Sequence, residues 1–316
     1  MTLHPSFRLQ GTGPKGSVCL LMVQMGLGDD ICALPAVVQL AREKDVTVYT
    51  RAFHKPLWES IGVNVVGVAG DEMTCDNREI LTPAWDAEHL SDYETIYKIS
   101  TVPWDEDVFA CSGRGRIEQF AERIETTFVM KSGFFRTVLR PRTISSERYT
   151  LFAPQSDNPW RGLPEKQAHE IREKISGTVV QLGEGHVKCS TYSELVDLVW
   201  NADRIISVDN GIAHIAAALG KRLTILGGMT DVRQIFGQYE AWNPGWTFQT
   251  VQGAGAECLA PCHMQPTHGF LDGKCCGLYA APKCLEQIDT ASIVSASQCA
   301  SVTPTNEFTP QGSPRL

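Results

Sequence analysis

The chain has 316 residues, of which 43% are hydrophobic and 20% charged, and its formal net charge is −8. This length is enough for two ordinary domains, and the acidic balance argues against nucleic acid or an anionic membrane as the main partner. No apolar run is long enough to cross a bilayer, and Val18–Val23 lacks the features of a secretory signal. We therefore expect a cytoplasmic protein without a transmembrane segment.

The first predicted strand is Val18–Val23, after 16 residues that lack periodicity and predict a loose arm. A glycine-rich turn follows it, and then a helix with Pro35 in its first turn. The pair Gly26-x-Gly28 suggests dinucleotide binding. However, Ile31 stands where a third glycine is required, which disfavours a dehydrogenase.

Two carboxylates follow that turn, Asp29 and Asp30. A carboxylate here can act as a general base; the alternative is that it only caps the helix. Asp30 is the less favoured base of the two.

Further strands at Val46–Tyr49 and Val63–Val68 alternate with helices, which is typical of a doubly wound α/β sheet. The polar segment Arg140–Ser146 predicts an interdomain linker. A second series of strands then starts at Tyr149–Ala153.

In the second half, the strand Thr178–Leu182 is followed by Glu184, whose carboxylate could bind ribose or sugar hydroxyls or could be an ordinary loop residue. Thr191 and Glu194 have the spacing of a capping box, which predicts that a helix starts there.

Residues 203–228 predict one βαβ unit, with a strand up to Val208, a helix closed by Gly220, and a right-handed crossover. The start of that helix, at Asp209-Asn210-Gly211, is suited to an anion because its backbone N–H groups have no intrahelical acceptor. His214 lies one turn further on, on the side expected to face the ligand. The alternative is that Asp209 or Asn210 is only a helix cap and His214 a surface residue.

The loop after the next strand contains Gly228 and Thr230, whose backbone N–H groups and hydroxyl could cradle phosphate. An ordinary strand-to-helix turn is the alternative.

The chain has 11 cysteines, and several are close together between residues 258 and 284. Four thiolates would suit a structural zinc or iron ion, and reduced thiols without metal are the alternative. The candidate ligands are Cys258, Cys262, Cys275 and Cys284. Residues 295–316 are rich in Ser, Thr and Pro, which predicts a disordered tail.

The string Asp209-Asn210-Gly211-x-x-His214-x-Ala-Ala-Ala-Leu-Gly resembles the signature of heptosyltransferase-type glycosyltransferases, which usually have Thr or Ser where this chain has Asn210. The string Gly28-Asp29-x-x-x-x-x-Pro35-Ala resembles the first motif of the same family. Arg161-Gly-Leu-Pro is the nearest match to a family Lys-x-Trp-Pro element.

The resemblance implies a GT-B fold, with two Rossmann-like doubly wound domains facing a central cleft. We expect an N-terminal acceptor domain at 1–147 and a nucleotide-sugar donor domain at 148–294. The donor implied is a nucleoside-diphosphate sugar, most often ADP-heptose. The acceptor would be a glycan, a glycolipid such as a lipopolysaccharide core, or a protein. The family also leaves open a peripheral position at the inner membrane.

The resemblance also implies a metal-independent, single inverting displacement. Asp29 would take the acceptor proton, while Arg161, His214 and the helix terminus at Asn210–Ile212 would meet the charge of the leaving group. Asp209 would fix the loop or bind the donor. A sugar-nucleotide epimerase and a non-catalytic sugar-nucleotide-binding or scaffold protein of the same fold stay open as alternatives.

Overall fold

The computed structural model describes residues 6–22, 25–68, 88–99, 115–144, 147–156, 161–183, 185–228, 230–253 and 283–299. They form two five-stranded sheets, one in each half of the chain, with helices packed against them. Within this described part, no helix has both the length and the apolar character needed to cross a membrane.

The first sheet is built from five short strands: β1 (Ser6–Gln10), β2 (Ser17–Leu21), β3 (Asp45–Arg51), β4 (Asn64–Val68) and β5 (Thr95–Ile99). Their order in the sheet is β1-β5-β2-β3-β4. All pairs are parallel except β1 with β5. The described residues of β2 and β5 are buried throughout, as expected of inner strands in a sheet covered on both faces.

The prediction of a loose N-terminal arm is wrong for Ser6–Gln10, which form the antiparallel edge strand β1. Leu9 packs against the small cluster of Cys19, Leu21 and Ile96, and Arg8 forms an exposed ion pair with Glu125. A strand held by pairing with a neighbour 85 or more residues away has no local signal in so short a segment.

The helices of the first half are α1 (Leu27–Leu40), α2 (Lys55–Glu59), α3 (Arg116–Arg123) and α4 (Phe134–Leu139). Helix α1 starts earlier than predicted, so Pro35 lies in its interior and not in its first turn. The reason is a capping box at Gly26, which the side chain of Asp29 closes.

The second sheet contains β6 (Thr150–Ala153), β7 (Val179–Gln181), β8 (Arg204–Val208), β9 (Leu223–Gly227) and β10 (Gln249–Gln252). These strands are all parallel and lie in the order β10-β9-β8-β6-β7. The predicted doubly wound α/β class is confirmed in both halves.

The helices of the second half are α5 (Glu165–Lys174), α6 (Tyr192–Asn201), α7 (Gly211–Ala218), α8 (Val232–Gly237), α9 (Lys283–Glu286) and α10 (Thr290–Cys299). The predicted capping box of Thr191 and Glu194 is present at α6. The disordered tail predicted from residue 295 starts too early, because α10 continues to Cys299 with Ile293 and Ser297 buried.

The two halves are joined by direct packing of α1 against α7, and one hydrophobic cluster contains residues of both sheets. The predicted linker is anchored at Arg142, whose backbone N–H and guanidinium both donate to Asp197 of α6, at 2.6–2.8 Å. The first sheet lies within residues 6–99 and the second within 150–252. The domain division at 147/148 falls between them and stays a prediction.

Candidate active site

Asp29 lies in the first turn of α1 and is nearly buried, with 8% of its surface exposed. Its Oδ2 accepts the backbone N–H of Gly26 at 3.2 Å, which closes the capping box. Its Oδ1 accepts a hydrogen bond from Nη1 of Arg116, at the start of α3, at 2.5 Å. Asp29 is therefore not the N-cap residue, but it does serve the helix start as well as pairing with Arg116.

The neighbouring carboxylate, Asp30, belongs to a different environment. Its Oδ2 lies 2.8 Å from Nδ1 of His54 and accepts from the hydroxyl of Thr50 at 3.1 Å and the indole N–H of Trp58 at 3.2 Å. The residue is completely buried. This carboxylate ties α1 to β3 and α2.

Asp209 follows β8 and contacts two other predicted donor-binding residues, Arg161 and Thr230. Its Oδ2 accepts from Nη1 of Arg161 at 3.1 Å and from the hydroxyl of Thr230 at 3.3 Å. Burial alone would raise the pKa of Asp209, but the positive charges of Arg161 and Arg116 outweigh burial and lower it below its ordinary value. The carboxylate is thus held in its charged form within the protein.

Asn210 is the N-cap of α7. Its Oδ1 accepts the N–H of Ala213 at 3.0 Å and the hydroxyl of Ser207 at 2.9 Å, while its Nδ2 donates to the carbonyl of Gln155 at 2.8 Å. The amide therefore caps α7 and also binds the loop after β6. Asn210 therefore both accepts and donates at this position.

Gly211 begins α7 at a point of close approach to α1. A Cβ at this position would lie 2.8 Å from Cβ of Leu27, which is closer than side chains can pack. The glycine therefore lets the N-terminal ends of α1 and α7 meet.

His214 is buried, which differs from the predicted position facing the ligand. Nδ1 lies 2.9 Å from the hydroxyl of Tyr239, the ring packs on Phe236 with centroids 4.6 Å apart, and Nε2 lies 3.8 Å from Oδ1 of Asp209. Burial lowers the pKa of His214 to about 4, although Asp209 opposes this effect. The expectation that His214 carries positive charge for a leaving group is corrected, because desolvation keeps the imidazole neutral at pH 7.

Gly228 packs against helix α9. A Cβ there would lie 2.9 Å from Cγ of Leu285 and 3.0 Å from Sγ of Cys284, and its carbonyl accepts from Nε2 of Gln252 at 2.6 Å. Packing accounts for the glycine at this position.

Four predicted site residues lie outside the described residues, namely Glu184, Cys258, Cys262 and Cys275. The fourth candidate metal ligand, Cys284, is described and buried. In the described ranges, no group of three or more His, Cys, Asp or Glu side chains is arranged to hold a metal ion.

Arg116 is the site residue that sequence reasoning missed. Burial lowers its pKa, but the carboxylates of Asp29 and Asp209 outweigh burial and raise that pKa above the ordinary value. Asp29, Arg116, Asp209 and Arg161 therefore form a set of alternating charges that draws on both halves of the chain. The one available signal was the start of an amphipathic helix after a glycine, with arginine in the first position.

Comparison with known protein families agrees with the resemblance found in the sequence. Residues 164–260 match the family model described as Glycosyltransferase family 9 (heptosyltransferase). Among curated proteins, the comparison finds no significant match.

Solved structures match most of the chain at low sequence identity. E. coli heptosyltransferase WaaC with ADP is 12% identical, with a TM-score of 0.50, over 81% of this chain and 99% of that one. The iron-containing dodecameric glycosyltransferase TibC from enterotoxigenic E. coli H10407 is 14% identical, with a TM-score of 0.56, over 91% of this chain and 78% of that one. TibC in complex with ADP-D-beta-D-heptose matches with a TM-score of 0.56 and 13% identity, over 91% of this chain and 77% of that one. At this identity the likeness concerns the fold.

Two α/β sheets, parallel except for the edge strand β1, are joined where α1 packs against α7, and they define a protein with the GT-B fold. The match to glycosyltransferase family 9 covers residues 164–260, which include the second motif from Asp209 to Gly220. This match supports a role in glycosyl transfer.

Proposed function

We propose that this chain is an inverting glycosyltransferase that moves a sugar from a nucleoside-diphosphate sugar, with ADP-heptose as the first candidate, to a hydroxyl acceptor. The observation that carries the proposal is the joint position of the Asp29–Arg116 and Asp209–Arg161 ion pairs, one contributed by each half. ADP-heptose is proposed because TibC has been solved with this donor.

In the proposed reaction, Asp29 takes the proton of the acceptor hydroxyl as its oxygen bonds to the anomeric carbon. The bond from that carbon to the diphosphate breaks on the opposite face, and the nucleoside diphosphate leaves with the electron pair. The anomeric configuration is inverted because the displacement is a single step.

The charge that develops on the diphosphate needs positive partners. Arg161 supplies a guanidinium beside Asp209, and Gly211 and Ile212 supply the first amides of α7, which have no acceptor within their own helix. Thr230 adds a hydroxyl on the same carboxylate. These groups provide the stabilisation that a metal-independent displacement would require.

Arg116 makes access to the base conditional. Its guanidinium binds Oδ1 of Asp29, so an acceptor hydroxyl can reach that oxygen only when the ion pair opens. The donor diphosphate is an anion that competes for the same guanidinium. We therefore infer that donor binding precedes activation of the acceptor.

The test is to incubate the purified chain with ADP-heptose and other nucleotide sugars, with and without acceptors. The acceptors are a heptose-free lipopolysaccharide core, other glycans and proteins. We expect nucleoside diphosphate to be released at a rate that depends on the acceptor, with a product of inverted configuration. Epimerised donor without transfer, or no turnover with any donor and acceptor, would contradict the proposal.

The second candidate is a non-catalytic sugar-nucleotide-binding protein. It is favoured by the full occupation of Asp29, whose two oxygens both accept hydrogen bonds within the protein. A thermal shift with nucleotide sugars, but without their hydrolysis or transfer, would support it.

A structural zinc or iron ion held by Cys258, Cys262, Cys275 and Cys284 is proposed separately. Thiolates are suitable ligands for either metal, and TibC contains iron. Cys284 is a buried thiol, which fits a structural role, and no chemical step depends on the ion. Elemental analysis of the purified protein tests this proposal, and metal-free protein with unaltered stability would contradict it.

A further inference from the structure

The start of helix α3 is capped by a residue from the other half of the chain. Gly115, its N-cap residue, carries no side chain that could accept a bond from the first amides. Instead, the N–H of Ile117 donates to Oε1 of Gln238 at 2.8 Å. Gln238 directly follows α8, 121 residues further along the chain.

The orientation of the Gln238 amide is fixed at both ends. Nε2 donates to the carbonyl of Ile235 at 2.7 Å and lies 3.7 Å from Sγ of Cys32 on α1. The Ile235 carbonyl needs a donor and the Ile117 N–H needs an acceptor. Only the orientation with Nε2 towards Ile235 and Oε1 towards Ile117 satisfies both partners. The side chain thus presents an acceptor to α3 in a set direction.

Gly115 permits this contact by its lack of a side chain. A Cβ at this position would lie 2.7 Å from Oε1 and 2.9 Å from Cβ of Gln238. A larger residue would therefore force Gln238 away from the start of α3.

Arg116, between Gly115 and Ile117, is the residue that binds Asp29. We propose that Gln238 is a positioning residue that holds the first turn of α3, and with it the Arg116–Asp29 ion pair, in place for the transfer reaction. Gln238 acts through Arg116 and does not touch the reacting atoms. This inference rests on the proposed function.

The consequence is that the base in the first half is held by the half that binds the donor. Separation of the two halves would break the Ile117–Gln238 bond and loosen the turn that carries Arg116. Gln238 therefore makes the geometry of the base depend on how the halves are joined.

The test compares Gln238→Leu with Gln238→Glu in the full chain. Leu removes both the acceptor and the donor, whereas Glu keeps an oxygen that can accept from Ile117 and loses the N–H that donates to Ile235. With Leu, we expect amide exchange in the first turn of α3 to accelerate by about tenfold or more. We also expect kcat to fall by roughly 10- to 100-fold with the donor KM little changed. With Glu, exchange and kcat should change less than with Leu, because the bond to Ile117 is kept while the bond to Ile235 is lost.

A second variant approaches the same contact from the other side. Gly115→Ala should displace Gln238 and produce the same loss of exchange protection. When Gly115→Ala is combined with Gln238→Leu, the second change should add little, because both substitutions remove the same hydrogen bond between Ile117 and Gln238. Fully additive effects would contradict the proposal.

The two readouts separate this inference from the proposed function. If the unaltered chain transfers no sugar, the proposed function fails and, with it, the positioning role of Gln238 in transfer. Hydrogen exchange then still decides whether the cap on α3 exists. If exchange is unaltered in Gln238→Leu, the cap is absent and the inference is wrong. If exchange accelerates in an active chain while kcat stays unaltered, Gln238 is only structural and the positioning role is wrong.

Discussion

Gly28 and His214 are in direct contact across the two halves of the chain. A Cβ at Gly28 would lie 2.3 Å from Cδ2 and 2.8 Å from Nε2 of His214. The first motif and the second motif, almost 190 residues apart, therefore meet at one point, with Asp29 next to Gly28 and Asp209 beside His214.

This contact predicts that Gly28→Ala is strongly destabilising. The added methyl cannot be accommodated without moving the buried imidazole, and overpacking of this kind costs about 1–3 kcal/mol or more. Chemical denaturation measures the effect. The matched control is Gly237→Ala, where a Cβ has no neighbour within 4 Å among the described residues. Equal stability of the two variants would contradict the close contact.

Arg116→Gln is predicted to impair transfer and donor binding together. The substitution removes the guanidinium that binds Asp29 and leaves this carboxylate without its ionic partner. We expect kcat/KM to fall on the order of 10²-fold. Arg8→Gln, which removes an exposed arginine paired with Glu125, is the control and should have little effect. If both variants keep the unaltered kcat/KM, Arg116 has no part in the reaction.

Asp30→Asn is predicted to lower the free energy of unfolding without a comparable loss of turnover per folded molecule. Oδ2 of Asp30 gathers Thr50, His54 and Trp58 in a buried site. Loss of its charge there should cost about 3 kcal/mol. Asp45→Asn removes an exposed carboxylate that accepts from Asn64 and serves as the control in urea denaturation. A selective loss of kcat in Asp30→Asn would instead give Asp30 a role in catalysis.

His214 is predicted to make the protein sensitive to mild acid. Burial lowers its pKa from 6.5 to about 4, so the unfolded chain takes up a proton near pH 6.5 while the folded chain does not. The contribution of neutral His214 to the free energy of unfolding is fully present above pH 6.5. It is lost as the pH falls towards 4, by a total on the order of 3 kcal/mol. Denaturation of the unaltered chain and of His214→Gln between pH 7 and 4 measures the difference in slope, with the exposed His169→Gln as control. Equal slopes in all three would contradict the prediction.

The parts of the fold that could be predicted from sequence are those with a local signal. The βαβ unit around Asp209 and the capping box at Thr191 depend on residues a few positions apart, and both are present. Pro35 was misplaced because the start of α1 is decided by a side chain, Asp29, that reaches back to Gly26.

The site was only partly predictable because its key contacts join distant residues. Arg116 reaches Asp29 over 87 positions, and no spacing rule connects them. The burial of His214 depends on Gly28 in α1 and on Phe236 and Tyr239, which lie together about 200 residues further along the chain. The motif itself therefore could not reveal that its histidine is enclosed and neutral.

The most direct test of the account concerns Asp29 as the base. Asp29→Asn keeps an oxygen that can accept from Gly26 but removes the proton acceptor, so the start of α1 should be preserved. Transfer from ADP-heptose to an acceptor that the unaltered chain uses is measured alongside donor binding. The account predicts a loss of turnover on the order of 10²-fold or more, with donor affinity nearly unaltered. Transfer by the folded variant at the rate of the unaltered chain would contradict it.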